Sequence, residues 1–381
     1  MVLKARGLLG YVQYISLMIT TTLSASALAA DTPPMETALH SAKTTYQYIY
    51  SANQGAHNLT AYRLNNNTGE LAPLSGNPFV TGEFPVSVKT TPNGNFIYVV
   101  NQGSQTITGY HHDTLHNSLE PVPGSPFKVG IHPDSITITP DGHYALITKE
   151  DEHHVLTYAI DQKTGELRET HYISETGNHP ISATVAPNGR FAYVSNYDDN
   201  SVTAYTIDNS TGRLLAAEQT VATDDHPIYI NISPDSRFLF TANYGSTTVS
   251  AFAIDQTSGT LTEVAGSPFS AGAQPYSVII DPQQEFLYTA NWGSHDVSAF
   301  RIDRNTGKLT EIQGSPYKAG WYPYAIVVSP SREYVYVSNN GEGTIGAYKI
   351  NQQTGGLTAL HGFPITTPAG PYSLAIVQEE Q

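Results

Sequence analysis

The sequence predicts an all-β protein in which seven four-stranded antiparallel blades close into a ring, and three observations carry that expectation. The first is a repeat. The stretch HPISATVAPNGRFAYVSN at 179–196 recurs in near-copy, with anchoring prolines Pro85, Pro133, Pro180, Pro227, Pro275, Pro323 and Pro371 spaced by 48, 47, 47, 48, 48 and 48 residues; a fixed period marks a repeat architecture. The second is period-two alternation of apolar residues within each unit, as strands require. The third is the pair of chain ends. The repeats begin near Tyr46 with the second strand of a unit and finish at 371–377 with a first strand, so the two ends complete one blade. A seven-bladed β-propeller satisfies all three. Pairing the last strand with the first closes the ring and hides an edge that would otherwise invite aggregation.

Each element follows in order. The chain opens MVLKARG, continues with an apolar run from Leu8 and reaches Ala27-Leu28-Ala29, the pattern of a signal peptide over 1–29. An uncleaved anchor is the alternative, since the run is long enough to span, but Gln13, Ser16 and Thr20 to Thr22 favour removal. Residues 30–45, with Pro33 and Pro34, read as a flexible leader, and 46–378 as the propeller. A periplasmic or secreted monomer is expected, with no membrane span after cleavage. Within a unit, Ile181, Ala183 and Val185 mark the first strand. A turn such as Pro187-Asn188-Gly189 follows, its proline pre-setting the first corner. The second strand is 191–195 and the third 202–207. A turn such as Thr211-Gly212 leads into the fourth; only the second unit lacks that glycine, having Asn117-Ser118.

The bulk composition excludes several functions. With 39% hydrophobic residues, 25 Tyr and 12 Phe, the chain can bury a large core. A net charge of −15 repels phosphates and anionic lipid, so nucleic acid is not an expected partner. The absence of cysteine rules out disulfides, thiolate metal sites and a cysteine nucleophile. No phosphate loop, dinucleotide fingerprint, zinc-protease helix or nucleophile elbow occurs.

Tyr193-Val194-Ser195-Asn196 and Tyr336-Val337-Ser338-Asn339, preceded by His/Tyr-Pro and Pro-Asn-Gly-type turns, resemble the seven-bladed lactonase-family propellers. These include 6-phosphogluconolactonase-like and carboxymuconate cyclase-like enzymes; the chain is also similar to exported propellers with Tyr-Val-Thr-Asn repeats. The resemblance covers about 46–377 and implies a lactone hydrolase. Enzymes of that kind carry Gly-Pro-Arg-His before a first strand and use Arg, His and Glu at the channel mouth. Here the corresponding stretches read Asn178-His179-Pro180, Asp225-His226-Pro227, Ala273-Gln274-Pro275 and Trp321-Tyr322-Pro323, without arginine. A site with no arginine clamp suits an unphosphorylated lactone better than a sugar phosphate.

Strand direction puts the Pro-Asn-Gly and Thr-Gly turns on one face and the longer, more varied loops on the other, where a site is expected. A residue present in every blade serves the fold, so exceptions are the candidates. The third blade has Lys149-Glu150-Asp151-Glu152-His153-His154 where others have Asn-Tyr-Gly or Asn-Gln-Gly. Blades three and four also lack the Gly-Ser-Pro-Phe element. Three readings stay open for this sector. In one, His179 or His226 acts as general acid or base with Lys149 polarising a carbonyl, beside His132 and Glu150. In another, Asp198, Asp199, Asp224 and Asp225 hold calcium, whereas the histidines are too dispersed for one zinc ion. The third is a solvated acidic rim. Tyr197, Tyr244, Trp292 and Tyr322, with Trp321, form an aromatic set fit for a sugar or flat ring, or for packing between blades. Lys89 stands where other blades have Thr137, Thr184, Asn231, Ile279, Val327 and Ala375, and is expected to line the channel. The leading reading is a lactonase-like hydrolase at the channel mouth; the rival is a non-catalytic propeller binding a glycan or protein on the same face.

Overall fold

The computed structural model describes residues 45–380; the expected signal peptide and the leader up to residue 44 lie outside the described residues. Seven antiparallel sheets appear in chain order. The innermost strand of each starts at an anchoring proline: Pro85–Thr90, Pro133–Ile138, Pro180–Val185, Pro227–Ile232, Pro275–Ile280, Pro323–Val328 and Pro371–Glu380. Each touches the next, and the last returns to the first, so together they wall a central tunnel. Closure is by Pro371–Glu380 pairing antiparallel with Thr45–Asn53, in register Tyr48↔Val377 and Tyr50↔Ala375. Blade one is thus built from both chain ends, and the ring has no free inner edge.

The repeated residues have repeated jobs. Tyrosine in the second strand crosses to the next blade: Tyr98, Tyr193, Tyr288 and Tyr336 donate to the carbonyls of Gly165, Gly259, Gly355 and Gly69 at 2.7–2.9 Å. These glycines sit at φ +74 to +77, a region that side-chain-bearing residues rarely adopt, and a Cβ at Gly259 would lie 2.3 Å from the Phe191 ring. Blade two has no such glycine, and the Tyr50 hydroxyl that faces this interface is buried without a hydrogen-bond partner. There the seal is a buried pair, His112 with Glu379 of the closing strand at 2.7 Å. The recurring asparagine ties the end of its strand to the next one: Asn196 Nδ2 donates to Ser201 and Thr203 hydroxyls at 3.1 and 2.9 Å, while its Oδ1 accepts from Gly177 N.

In five blades the fourth strand is split into two short pieces that both pair with the third, as with Leu261–Glu263 and Phe269–Ser270. In four of them a Gly-Ser-Pro-Phe-type element lies at the break, and its serine or asparagine side chain accepts the ladder N–H left open, as in Ala251 N to Ser267 Oγ at 3.0 Å; blade seven has Phe363 there. Blades three and four, which lack that element, keep one long strand each, Leu167–Glu175 and Arg213–Ala222.

Candidate functional site

The tunnel mouth is built by one local device used seven times. The residue before each anchoring proline has left-handed backbone: Phe84, His132, His179, His226, Gln274 and Tyr322 lie between φ 39 and 58, with Gly370 completing the ring. Its carbonyl accepts from the N–H of the residue after the recurring asparagine position, as in Tyr197 N to His179 O and Tyr244 N to His226 O, both 2.9 Å. Left-handed backbone costs a non-glycine residue roughly 1 kcal/mol or more, and six of seven blades bear it. The register also slips just inside every proline, and such bulges re-aim side chains. The result is a rim of side chains directed over the mouth.

Across this rim each pre-proline residue meets the residue two after the asparagine. Where that residue is glycine, a Cβ would collide: 2.5 Å from His226 Nδ1 at Gly245 and 2.5 Å from Tyr322 at Gly341. In blades three and four it is aspartate, and it holds the histidine: His132 Nδ1 with Asp151, and His179 Nδ1 with Asp198 at 3.2 Å. His179 Nε2 hydrogen bonds with Glu150, which Gln102 also contacts at 3.1 Å. His226 Nδ1 is 3.4 Å from Asp225, and its Nε2 has no protein partner among the described residues. Tyr197 lies between the two histidines, ring centroids 5.2 Å from His179 and 4.3 Å from His226.

Of the residues singled out in the sequence, His179, His226, His132, Glu150 and Tyr197 therefore share one sector of the mouth. Tyr244, Trp292 and Tyr322 continue it as a ladder: Tyr244 meets Trp292 at 5.9 Å, and Trp292 stacks on Tyr322 at 4.6 Å and 25°. Lys149 does not join them. Its side chain is 0% exposed, donates to the Val129 carbonyl at 2.9 Å and pairs with Glu152 at 3.4 Å. It occupies the slot of the recurring asparagine and anchors the preceding loop, so its ammonium is out of reach of a ligand. Asp199 is likewise committed, accepting from Asn178 N and Nδ2 at 2.7 Å. Asp224 accepts from the Thr248 hydroxyl at 2.7 Å, which holds its carboxyl below the usual range. Among the described residues no three His, Cys, Asp or Glu side chains are grouped to hold a metal ion. Lys89 lies on the innermost strand Pro85–Thr90, three residues beyond Val86, and is exposed.

Sequence reasoning missed that layer. Tyr276, Tyr324 and Tyr372 follow the prolines of three consecutive blades, and Tyr229 approaches from a fourth. Their rings meet at 4.4–6.0 Å, and the Tyr276 and Tyr372 hydroxyls hydrogen bond with each other. Facing them is Asp134, which has no hydrogen-bond partner among the described residues. Burial within the tunnel, and then the neighbouring Glu150 carboxylate, push its carboxyl up to about 8. Asp134 in turn helps hold the Tyr229, Tyr276 and Tyr372 phenols above their usual range, behind the larger effect of desolvation. A carboxylic acid that keeps its proton at neutral pH is a hydrogen-bond donor. The available signal was a tyrosine recurring after the proline in three blades only. A separate outer cavity of about 830 Å³, lined by Tyr46, Arg63, Glu70 and His361, lies away from these groups.

Comparisons with known proteins bear on this geometry. Among curated proteins none matches the chain. A putative 6-phosphogluconolactonase from Bacteroides fragilis superposes with a TM-score of 0.76 at 19% identity, over 87% of this chain and 98% of its own. The periplasmic gluconolactonase of Pseudomonas aeruginosa superposes with a TM-score of 0.72 at 18% identity, over 88% and 99%. At such identities these likenesses show the fold. The family described as Lactonase, 7-bladed beta-propeller matches residues 87–273 and 266–370. The chain therefore belongs to the seven-bladed β-propeller lactonase family.

Proposed function

We propose that this chain is an exported lactone hydrolase that opens a small unphosphorylated lactone at the tunnel mouth. The observation that carries the reading is His226, whose Nδ1 faces Asp225 at 3.4 Å while Nε2 stays open to the mouth beside Tyr197. A neutral imidazole oriented by a carboxylate is a general base. Water gives its proton to His226 Nε2 as its oxygen attacks the lactone carbonyl. The tetrahedral oxyanion is met by donors already in place, the protonated Asp134 carboxyl or the tyrosine hydroxyls. The ring C–O bond then breaks, and His226 returns the proton to the leaving oxygen, giving a hydroxy acid. A second histidine, His179, held by both Glu150 and Asp198, stiffens the rim and positions Tyr197.

The mouth is carboxylate-rich, and Arg190, Arg237 and Arg332 serve elsewhere: Arg190 donates to the Gln256 and Thr257 carbonyls, Arg237 to the Asn305 carbonyl, and Arg332 pairs with Asp281 and Glu285. This supports a substrate without phosphate, as does the likeness to a periplasmic gluconolactonase, which also supports export. Among the described residues no helix is long and apolar enough to cross a membrane. A second reading, a non-catalytic propeller binding a glycan or protein, is favoured by one feature, the stacked Trp292 and Tyr322. A panel of aldonolactones, with and without phosphate, separates the readings. Hydrolysis above the buffer rate, lost by about 10²-fold or more in His226→Asn, supports catalysis. Activity untouched by His226→Asn removes the assigned base, and no hydrolysis of any lactone leaves the binding role.

A further inference from the structure

We propose that the far half of the tunnel is a second binding site, specific for a small organic monocarboxylate and centred on Lys89. Lys89, Thr137, Thr184 and Asn231 occupy one level of the wall. Each is paired with the same position of its second strand: Tyr98, Leu146, Tyr193 and Phe240. That level is three residues below the Asp134 and tyrosine layer, about 10 Å at strand rise, so the site is separate from the rim and does not depend on the reading above.

Four consecutive blades present hydrogen-bond donors here without protein partners among the described residues. Lys89 Nζ, the Thr137 and Thr184 hydroxyls and Asn231 Nδ2 make no hydrogen bond; Asn231 uses only its Oδ1, accepting from Ile280 N at 3.1 Å. The other three blades present Ile279, Val327 and Ala375 at that level. One half of the ring is therefore polar with a single positive charge, and the other half is apolar.

Lys89 is solvent-exposed, although protein atoms crowd it on the innermost strand. Desolvation lowers its pKa, and no carboxylate opposes that shift. An ammonium that solvent reaches, partly desolvated and with no carboxylate beside it, is free to take an anion from solution. In a chain of net charge −15 this level is an unusual place to find one. One charge, adjoining neutral donors and an apolar wall match a carboxylate on a small apolar body, rather than a multiply charged oxyanion.

Titration calorimetry on the whole protein at constant ionic strength tests this with benzoate, neutral benzamide and sulfate as probes. Benzoate is expected to bind saturably, benzamide at least about 10-fold more weakly, and sulfate more weakly than benzoate. Lys89→Met should weaken benzoate about 10-fold or more, and Thr184→Val about 3-fold, while His226→Asn leaves it unchanged. Lys89→Met removes an unpaired charge, so it should melt no lower than the parent, which guards against a folding artefact. Absence of saturable benzoate binding, or equal binding in Lys89→Met, overturns the site. Sulfate binding tighter than benzoate overturns its monocarboxylate character.

Discussion

Asp134→Asn should stabilise the protein, and by an amount that depends on pH in a defined way. The carboxyl titrates at about 8 in the folded tunnel against 3.8 when free. Between these values the folded protein holds a proton that the unfolded chain has released, so this group makes stability fall as pH rises through that window. Each pH unit within it is worth about 1.4 kcal/mol. At pH 7 the gap is roughly 3 units, or about 4 kcal/mol; water in the tunnel relaxes part of this, which leaves about 2–4 kcal/mol. Asparagine has a similar shape and no charge to desolvate. Urea unfolding of both proteins should show almost no difference near pH 4, a gain for Asp134→Asn that grows toward pH 8, and a constant gain above it. A difference that stays flat from pH 4 to 8, or a variant less stable at pH 7, would refute the placement of an unpaired carboxyl in the tunnel.

Three other outcomes follow from the geometry. Deleting 370–381 removes the inner strand of blade one and Glu379, and should lower the melting temperature by more than about 10 °C; a change of a few degrees would mean the ring does not depend on that closure. Tyr193→Phe should cost about 1 kcal/mol in urea unfolding because its hydroxyl bridges to Gly259, whereas Tyr50→Phe should cost nothing, its hydroxyl being unpartnered. Gly245→Ala places a methyl 2.5 Å from His226 Nδ1 and should cut lactone turnover about 10-fold or more with a melting temperature within about 3 °C.

Most of the fold was legible because its signals repeat. A 48-residue period, alternation, and a first strand stranded at the C-terminus specify blade number, strand order and closure before any contact is seen. The rim was legible for the converse reason: Asp151 and Asp198 replace a glycine that the other blades need, and the replacement is visible as a break in the pattern. Lys149 misled because it is also a break in the pattern, yet the asparagine it replaces does structural work and the lysine inherits it. The tyrosine layer and Asp134 were hidden by the position they share. Elsewhere that position holds Val86, Ile181 and Ile228, which read as ordinary strand interior. Only the bulge inside each proline turns these side chains inward, and a bulge leaves no mark on a period-two pattern.

The most direct measurement is a crystal structure of the protein soaked with a non-hydrolysable lactam analogue of an aldonolactone. The lactam ring is expected at the mouth, within hydrogen-bond reach of His226 Nε2 and against Tyr197 or Tyr244. A ring bound instead in the outer cavity beside Arg63 and His361, with the mouth empty, would contradict a catalytic tunnel mouth.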